Sequence, residues 1–270
     1  MTNCLPTLMV APNGARLTQR DHPRLPVTIA ETVAEAKACH EAGAGALHAH
    51  VRDGAGAHAL DAGLYRELLA EMALHVPGMA VQITTEAVGR YTPAEQRALV
   101  AAIRPQFVSV AVREMVPGMT HGVLDPEADA FYRSCAGEGI AVQHIVYSDA
   151  DFSALLAFAR ANQLPAPLSV LFVLGRYTPG QMSSPADLDP FLTLLDEATQ
   201  TGEPQIAEWV VCAFGANETS CLLAAARRGG KCRVGFENNL RNADGSVAEN
   251  NAERVAEVHA ALAADGDGRG

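Results

Sequence analysis

The chain has 270 residues, 49% of them hydrophobic but only 5% aromatic, and a formal net charge of −11. An acidic surface argues against non-specific nucleic-acid binding, and no run of about 18 apolar residues offers a membrane span. There is no charged-then-apolar leader. The six cysteines form no CxxC pair, so they read as reduced thiols of a cytoplasmic protein with no membrane partner.

Short apolar runs alternate with longer helical patterns. In chain order, strand Leu8–Ala11 is followed by a helix over 30–43, Ala46–Arg52 by 62–75, Ala80–Glu86 by 93–103, and Phe107–Val112 by 126–138. Ala141–Tyr147 is followed by 149–162, Leu168–Gly175 by 185–199, Glu208–Gly215 by 217–229, and Cys232–Asn238 by 248–264. Thr92-Pro93-Ala94-Glu95 is a helix start, with Thr92 as N-cap and Pro93 in the first turn. Ser184-Pro185-Ala186-Asp187 repeats that logic. Gly43, Gly78 and Gly229-Gly230 sit where helices should stop.

Strict alternation of strand and helix means a parallel sheet. A doubly wound sheet gives similar local signals, but eight units in a chain near the typical barrel length of about 250 residues favour closure. The expectation is α/β, a single (β/α)8 TIM barrel over 1–270, with a frayed tail over about 265–270. Active sites of such barrels lie at the C-terminal ends of the strands, so those residues carry the functional reading.

The second run ends Leu47-His48-Ala49-His50-Val51-Arg52. Side chains alternate along a strand, so His48 and His50 share a face. Two imidazoles about 7 Å apart along a strand can converge on one zinc-type cation. In the eighth run Arg233, Gly235 and Glu237 share a face, which aims Glu237 at the mouth. Two histidines and a carboxylate leave a coordination position open, the pattern of catalytic zinc. The plainer readings are core histidines and a helix-terminal carboxylate.

In the third run Gln82, Thr84 and Glu86 share one face. Inward polar side chains are costly unless hydrogen-bonded, so a lined mouth explains them, with Glu86 as general base or capping acid. The first run leads into Pro12-Asn13-Gly14-Ala15-Arg16, where a tight turn with Asn13 and Arg16 suits an anion as well as a plain turn. Ser109, Arg113 and Glu114 are further mouth candidates. His144 reads as a core or supporting histidine. His22, His40, His58, His75, His121 and His259 fall in loops or helices and receive no role.

These residues resemble those of the beta-keto acid cleavage enzymes. The stretches that carry the resemblance are Ala11-Pro12-Asn13-Gly14-Ala15, Glu41-Ala42-Gly43-Ala44 leading into His48-Ala49-His50-Val51-Arg52, Phe172-Val173-Leu174-Gly175, and Arg233 through Leu240. The resemblance implies a (β/α)8 barrel with zinc on His48, His50 and Glu237. It implies a transferase that converts a β-keto acid and acetyl-CoA into acetoacetate and a new acyl-CoA, in a homo-oligomer that is often a tetramer. It also implies that Arg233 assists the proton step, and that Thr84 and Ser109 keep the hydroxyls of the family's type member.

Two departures stand out. The family's acid after the zinc glutamate is Asn238 here, and an amide is no base. The glutamate of the first loop is Arg16, and the acid expected near the fifth strand is Gln143. A cationic amino-keto acid is therefore disfavoured against a neutral or anionic one, whose second carboxylate Arg16 would meet. With the acid lost, Glu86 is the preferred base. Zinc-bound hydroxide and loss of cleavage are the other options. A zinc hydrolase or aldolase on the same barrel, or a non-catalytic metal-binding relative, remain competing readings. Arg90, Arg176 and Arg227-Arg228 are the candidates for CoA phosphates.

Overall fold

The computed structural model describes residues 4–116, 125–162, 164–165 and 167–267. His121 lies outside them. Eight parallel strands close into a barrel in sequence order, β1 through β8. They are β1 (Leu8–Val10), β2 (Ala46–Ala49), β3 (Ala80–Thr84), β4 (Phe107–Ala111), β5 (Ala141–Val146), β6 (Leu168–Leu174), β7 (Ile206–Ala213) and β8 (Lys231–Val234). Closure is made by β1 on β8, in a register that puts Met9 beside Arg233.

The helices are α1 (Ile29–Glu41), α2 (Ala62–His75), α3 (Pro93–Ile103), α4 (Val112–Met115), α5 (Pro126–Gly137), α6 (Asp149–Asn162), α7 (Asp189–Thr201), α8 (Glu218–Ala226) and α9 (Asn251–Asp267). Thr92 caps α3 as expected, in a reciprocal box with Glu95. Ser184 makes the same box with Asp187, but on a 3-10 turn over Pro185–Leu188. The helix proper starts at Asp189, four residues later than expected from Pro185. The expected tail over about 265–270 lies in part outside the described residues. The helix α9 continues to Asp267, and Asp265 pairs with Arg227 at 2.8 Å.

Strand parity sorts the interior. Leu47 and Ala49 join the core between strands and helices, which leaves His48 inside the barrel. The barrel floor is apolar, built on Leu5, Met9, Ala46 and Phe107. Above it runs a polar tier. Gln82 Nε2 donates to Gln143 Oε1 (3.2 Å), Gln143 Nε2 donates to Ser169 Oγ (3.4 Å), and Ser169 Oγ donates to Glu208 (2.8 Å). Glu208 in turn pairs with Lys231 at 2.5 Å. Each buried polar group in this belt thereby keeps a partner, as burial requires.

Several strands stop earlier than the apolar pattern suggests. The last residues of the second, third and eighth runs leave the ladder, and those residues build the mouth. Val112, expected as a strand end, instead starts the short α4.

Candidate metal centre and active site

Asn13, Arg16, His48, His50, Thr84, Glu86, Arg176, Arg233, Glu237 and Asn238 line one cavity of about 360 Å3 at the C-terminal mouth, whereas Gln82, Arg90, Ser109, Arg113, Glu114, Arg227 and Arg228 do not. Ser109 is corrected. It is fully buried in β4, and its hydroxyl donates to the Ile83 carbonyl at 3.5 Å. Arg113 and Glu114 are also spent elsewhere. Arg113 pairs with Asp151, and Glu114 accepts from Ala87 N at 2.9 Å.

His48 projects from β2, and His50 follows just past its end. Their Nε2 atoms converge to 3.1 Å. Each ring is oriented by its other nitrogen. His48 Nδ1 lies 2.8 Å from Gln82 Oε1, an oxygen that can only accept. The proton therefore sits on Nδ1, and the Nε2 lone pair is free. His58 Nε2 donates to the Glu86 carbonyl at 2.9 Å, so its Nδ1 accepts from His50 Nδ1 at 3.4 Å. That again leaves His50 Nε2 with a lone pair. His58, given no role from sequence, is thus a supporting residue, buried at 4% exposure. A tight turn through Asp53 and Gly56 brings it back beside Arg52. The Gly54/Gly56 spacing is the one sequence signal for that return.

Glu237 reaches the site by a different route from the one strand parity suggested. The strand β8 ends at Val234, and the chain turns at Gly235, whose φ is 138°. Asn238 N and Asn239 N both donate to the Gly235 carbonyl. The buried carboxylate Glu218 fixes this turn, accepting from Gly235 N at 3.2 Å and from Asn239 at 3.3 Å. Glu218 is itself neutralised by the buried Arg254 at 2.8 Å. Burial pushes the Glu218 carboxyl up to about 7 against that pull.

Gly14 opposes the turn at φ 57°, and a Cβ there would stand 2.6 Å from Glu237 Cγ. Glycine is required by this close approach as well as by the turn. Arg52 braces the same loop through the carbonyls of Gly14 (2.5 Å), Leu17 (3.0 Å) and Ala15 (3.2 Å).

Arg233 Nη2 donates to Glu237 Oε1 at 2.9 Å and contacts Cys212 Sγ at 3.2 Å. Burial raises the Glu237 carboxyl, but the Arg233 guanidinium outweighs it and holds the group well below the usual range. Burial, then Arg233, push His48 down to about 3. The Cys212 thiol is pushed up by burial to about 11 and stays protonated.

Glu237 Oε2 is buried with no hydrogen-bond partner among the described residues. It stands 3.4 Å from His50 Nε2 and 3.5 Å from His48 Nε2. Two ligands about 2.0–2.1 Å from a tetrahedral centre sit roughly 3.3–3.4 Å apart. Two imidazole lone pairs and a carboxylate oxygen at these separations repel one another unless a cation lies between them. The donor set fits zinc.

Around this triangle stand the remaining candidates. Glu86 accepts from Arg16 at 2.6 Å and comes within 3.9 Å of His50. Arg16, read from sequence as an anion-binding candidate, lines the cavity and is paired with this carboxylate. Thr84 Oγ1 accepts from Glu86 N at 3.1 Å and keeps its hydrogen to donate. Asn13 Nδ2 donates to the carbonyls of Pro26 and His50, and its Oδ1 has no partner among the described residues. Asn238 is buried at 6% exposure, and neither of its amide atoms finds a partner among the described residues. Gln143 belongs to the interior belt rather than to the cavity wall. His144, outside the barrel, contacts the Ser169 carbonyl at 3.1 Å, and burial pushes it down to about 4.

A (β/α)8 barrel with two histidines and a carboxylate converging at its mouth defines a class of enzyme able to bind a metal. A family model described as beta-keto acid cleavage enzyme matches residues 7–267, and the chain belongs to that family. The chain is 25% identical over 270 residues to the 3-oxoadipate:acetyl-CoA acetyltransferase of Cupriavidus necator, covering 94% of this chain and 87% of that protein. It is 25% identical over 247 residues to the 3-keto-5-aminohexanoate cleavage enzyme of Acetoanaerobium sticklandii, covering 91% and 87%. Among solved structures, ObcA in a binary complex with oxaloacetate superposes with a TM-score of 0.69 at 16% identity, covering 90% of this chain. The chain spans 64% of ObcA's length. A type I 3-dehydroquinate dehydratase of Clostridium difficile gives 0.62 at 12% identity, covering 96% of this chain and 92% of that one. These structural likenesses show the barrel alone.

Proposed function

We infer that this chain is a zinc-dependent beta-keto acid cleavage enzyme, and that it turns a neutral or anionic β-keto acid and acetyl-CoA into acetoacetate and a new acyl-CoA. The observation that carries this reading is the triangle of His48 Nε2, His50 Nε2 and Glu237 Oε2 in the cavity, with both imidazole lone pairs free. Family membership supplies the reaction class. A relative named for 3-oxoadipate supports a dicarboxylic keto acid.

His48, His50 and Glu237 would hold zinc, which when bound would supply a Lewis acid for the keto carbonyl. Arg233 keeps Glu237 ionised and in place. Glu86 takes a proton from C2 of the keto acid. Now nucleophilic, C2 bonds to the thioester carbon, and the CoA thiolate leaves. The thiolate then bonds to the original keto carbon, the C2–C3 bond breaks, and C2 recovers a proton. Acetoacetate and the new thioester are thereby balanced against the two substrates. Thr84 donates to a substrate oxygen. Asn238, with both amide atoms unpartnered, orients the substrate rather than acting as a base. Arg16 meets the distal carboxylate of a dicarboxylic substrate and releases Glu86 as it does so.

The test is acyl-CoA formation, read by mass spectrometry, from a panel of keto acids with acetyl-CoA and zinc-loaded protein. Neutral and dicarboxylic keto acids are expected to give a new acyl-CoA that disappears with His48→Ala. Turnover independent of acetyl-CoA would instead favour a hydrolase or aldolase. Stoichiometric zinc without turnover would mark a non-catalytic relative. Dependence on acetyl-CoA, together with six cysteines that are all free thiols, supports a cytoplasmic site of action. A homo-oligomer is the expected assembly, checked by light scattering.

A further inference from the structure

The acyl end of acetyl-CoA has room in the cavity, but about 360 Å3 is too little for the nucleotide as well. Pockets of roughly 300–1,000 Å3 enclose drug-sized ligands, and CoA is larger than the ligands that the lower part of that range encloses. Its charged half must therefore rest on the rim.

Two arginines mark where. Arg176 and Arg241 both line the mouth, and neither has a carboxylate within ion-pair distance among the described residues. In a chain of net charge −11, unpaired cations converging on one opening need an explanation. The Arg176 guanidinium lies over Phe214 at 5.2 Å and Tyr177 at 5.6 Å. These cation–π contacts steady the guanidinium, and its N–H groups make no ion pair among the described residues, the chemistry that suits phosphate. Arg241 is steadied by one bond to the Gly245 carbonyl at 2.8 Å.

The strap after β6 that carries Arg176 is built in. Asn217 Nδ2 donates to the Ser183 carbonyl (2.8 Å), and Ser183 Oγ donates to the Phe214 carbonyl (2.7 Å). The strap packs so closely that a Cβ on Gly215 would stand 2.7 Å from Gln181 O. Tyr177 at 65% and Met182 at 46% stay exposed on it, while Val173, Ile145 and Phe214 give the throat below an apolar wall.

We propose that Arg176 and Arg241 bind the phosphates of CoA at the rim, with the pantetheine arm descending past Phe214 to the metal triangle. This assignment rests on the acetyl-CoA reading above. The test compares wild type with Arg176→Ala and Arg241→Ala, using acetyl-CoA and the truncated thioester S-acetylpantetheine. Each variant should raise KM for acetyl-CoA by about 10- to 100-fold, the scale of one charged hydrogen-bonded contact. KM for the keto acid, zinc content and turnover of S-acetylpantetheine should stay unchanged. An unchanged KM for acetyl-CoA, or an equal loss with the truncated thioester, overturns the proposal. If wild type makes no acyl-CoA, the reaction reading fails separately. Calorimetric titration of CoA into wild type and Arg176→Ala then decides the site. Weaker binding to the variant supports it, and equal binding overturns it.

Discussion

One cavity holds two arginine–glutamate pairs that differ in almost everything but composition. Glu237 and Glu86 have side chains equally exposed, at 14%. The partner of Glu237 is Arg233, 3% exposed, and the partner of Glu86 is Arg16, 53% exposed. A buried arginine cannot be exchanged for water, so Arg233 fixes Glu237 as a permanent anion, as the proposed metal site requires. A half-exposed arginine can be drawn away by a better partner, so the Arg16–Glu86 pair can open when a substrate carboxylate arrives. The same two residue types give a structural anchor in one place and an exchangeable contact in the other.

Stability should separate the pairs most sharply. Arg233→Ala leaves a buried carboxylate without its partner and should cost about 3–5 kcal/mol in urea denaturation of the metal-free protein. Arg16→Ala should cost no more than about 1 kcal/mol. Comparable losses for the two would erase the distinction. Catalysis should separate them the other way. Glu86→Gln should lower kcat by about 10²- to 10⁴-fold, the usual range for a lost general base, with zinc still bound. Unchanged turnover would remove Glu86 from the proton step.

Support behind the metal comes next. Gln82→Ala takes away the acceptor of His48 Nδ1 and should weaken zinc binding by about 10- to 100-fold, measured by chelator competition. Arg16→Ala should raise KM for a dicarboxylic keto acid about tenfold, as one lost charged contact does, and leave that of a neutral one alone.

The smallest effect is on pH dependence. His144 is held at about 4 in the folded chain, against an ordinary value near 6.5. Above pH 6.5 it is neutral in both states and contributes nothing. Between 6.5 and 4 only the unfolded state takes up the proton, so stability falls with falling pH by up to ~1.4 kcal/mol per unit. His144→Gln should flatten that limb in denaturation curves taken across it.

The barrel was legible because its signals are local and repeat eight times. Buried Val-Leu-Ala runs, Thr92 with Glu95, and stops such as Gly43 each follow from short stretches of chain. His48 and Arg233 were legible from strand parity, which holds while the chain stays in the ladder. Parity named Glu237 although the ladder ends at Val234, because the Gly235 turn returns that side chain to the same opening. Nearness to the end of the fourth run, together with the family resemblance, placed Ser109 at the mouth, where a fully buried hydroxyl bonded to Ile83 is found instead. His58 escaped a role, and Gln82 was read as lining the mouth rather than as the partner of His48, because each acts on a histidine that only the closed barrel brings near. The Glu218–Arg254 brace joins positions 36 residues apart and has no local signature.

The most direct measurement follows carbon. Acetyl-CoA labelled with 13C in both acetyl carbons is incubated with the zinc-loaded protein and an unlabelled dicarboxylic keto acid, and the products are read by NMR. The account predicts label at C3 and C4 of acetoacetate and an unlabelled new acyl-CoA. Labelled acetate, or acetoacetate without label, would contradict it.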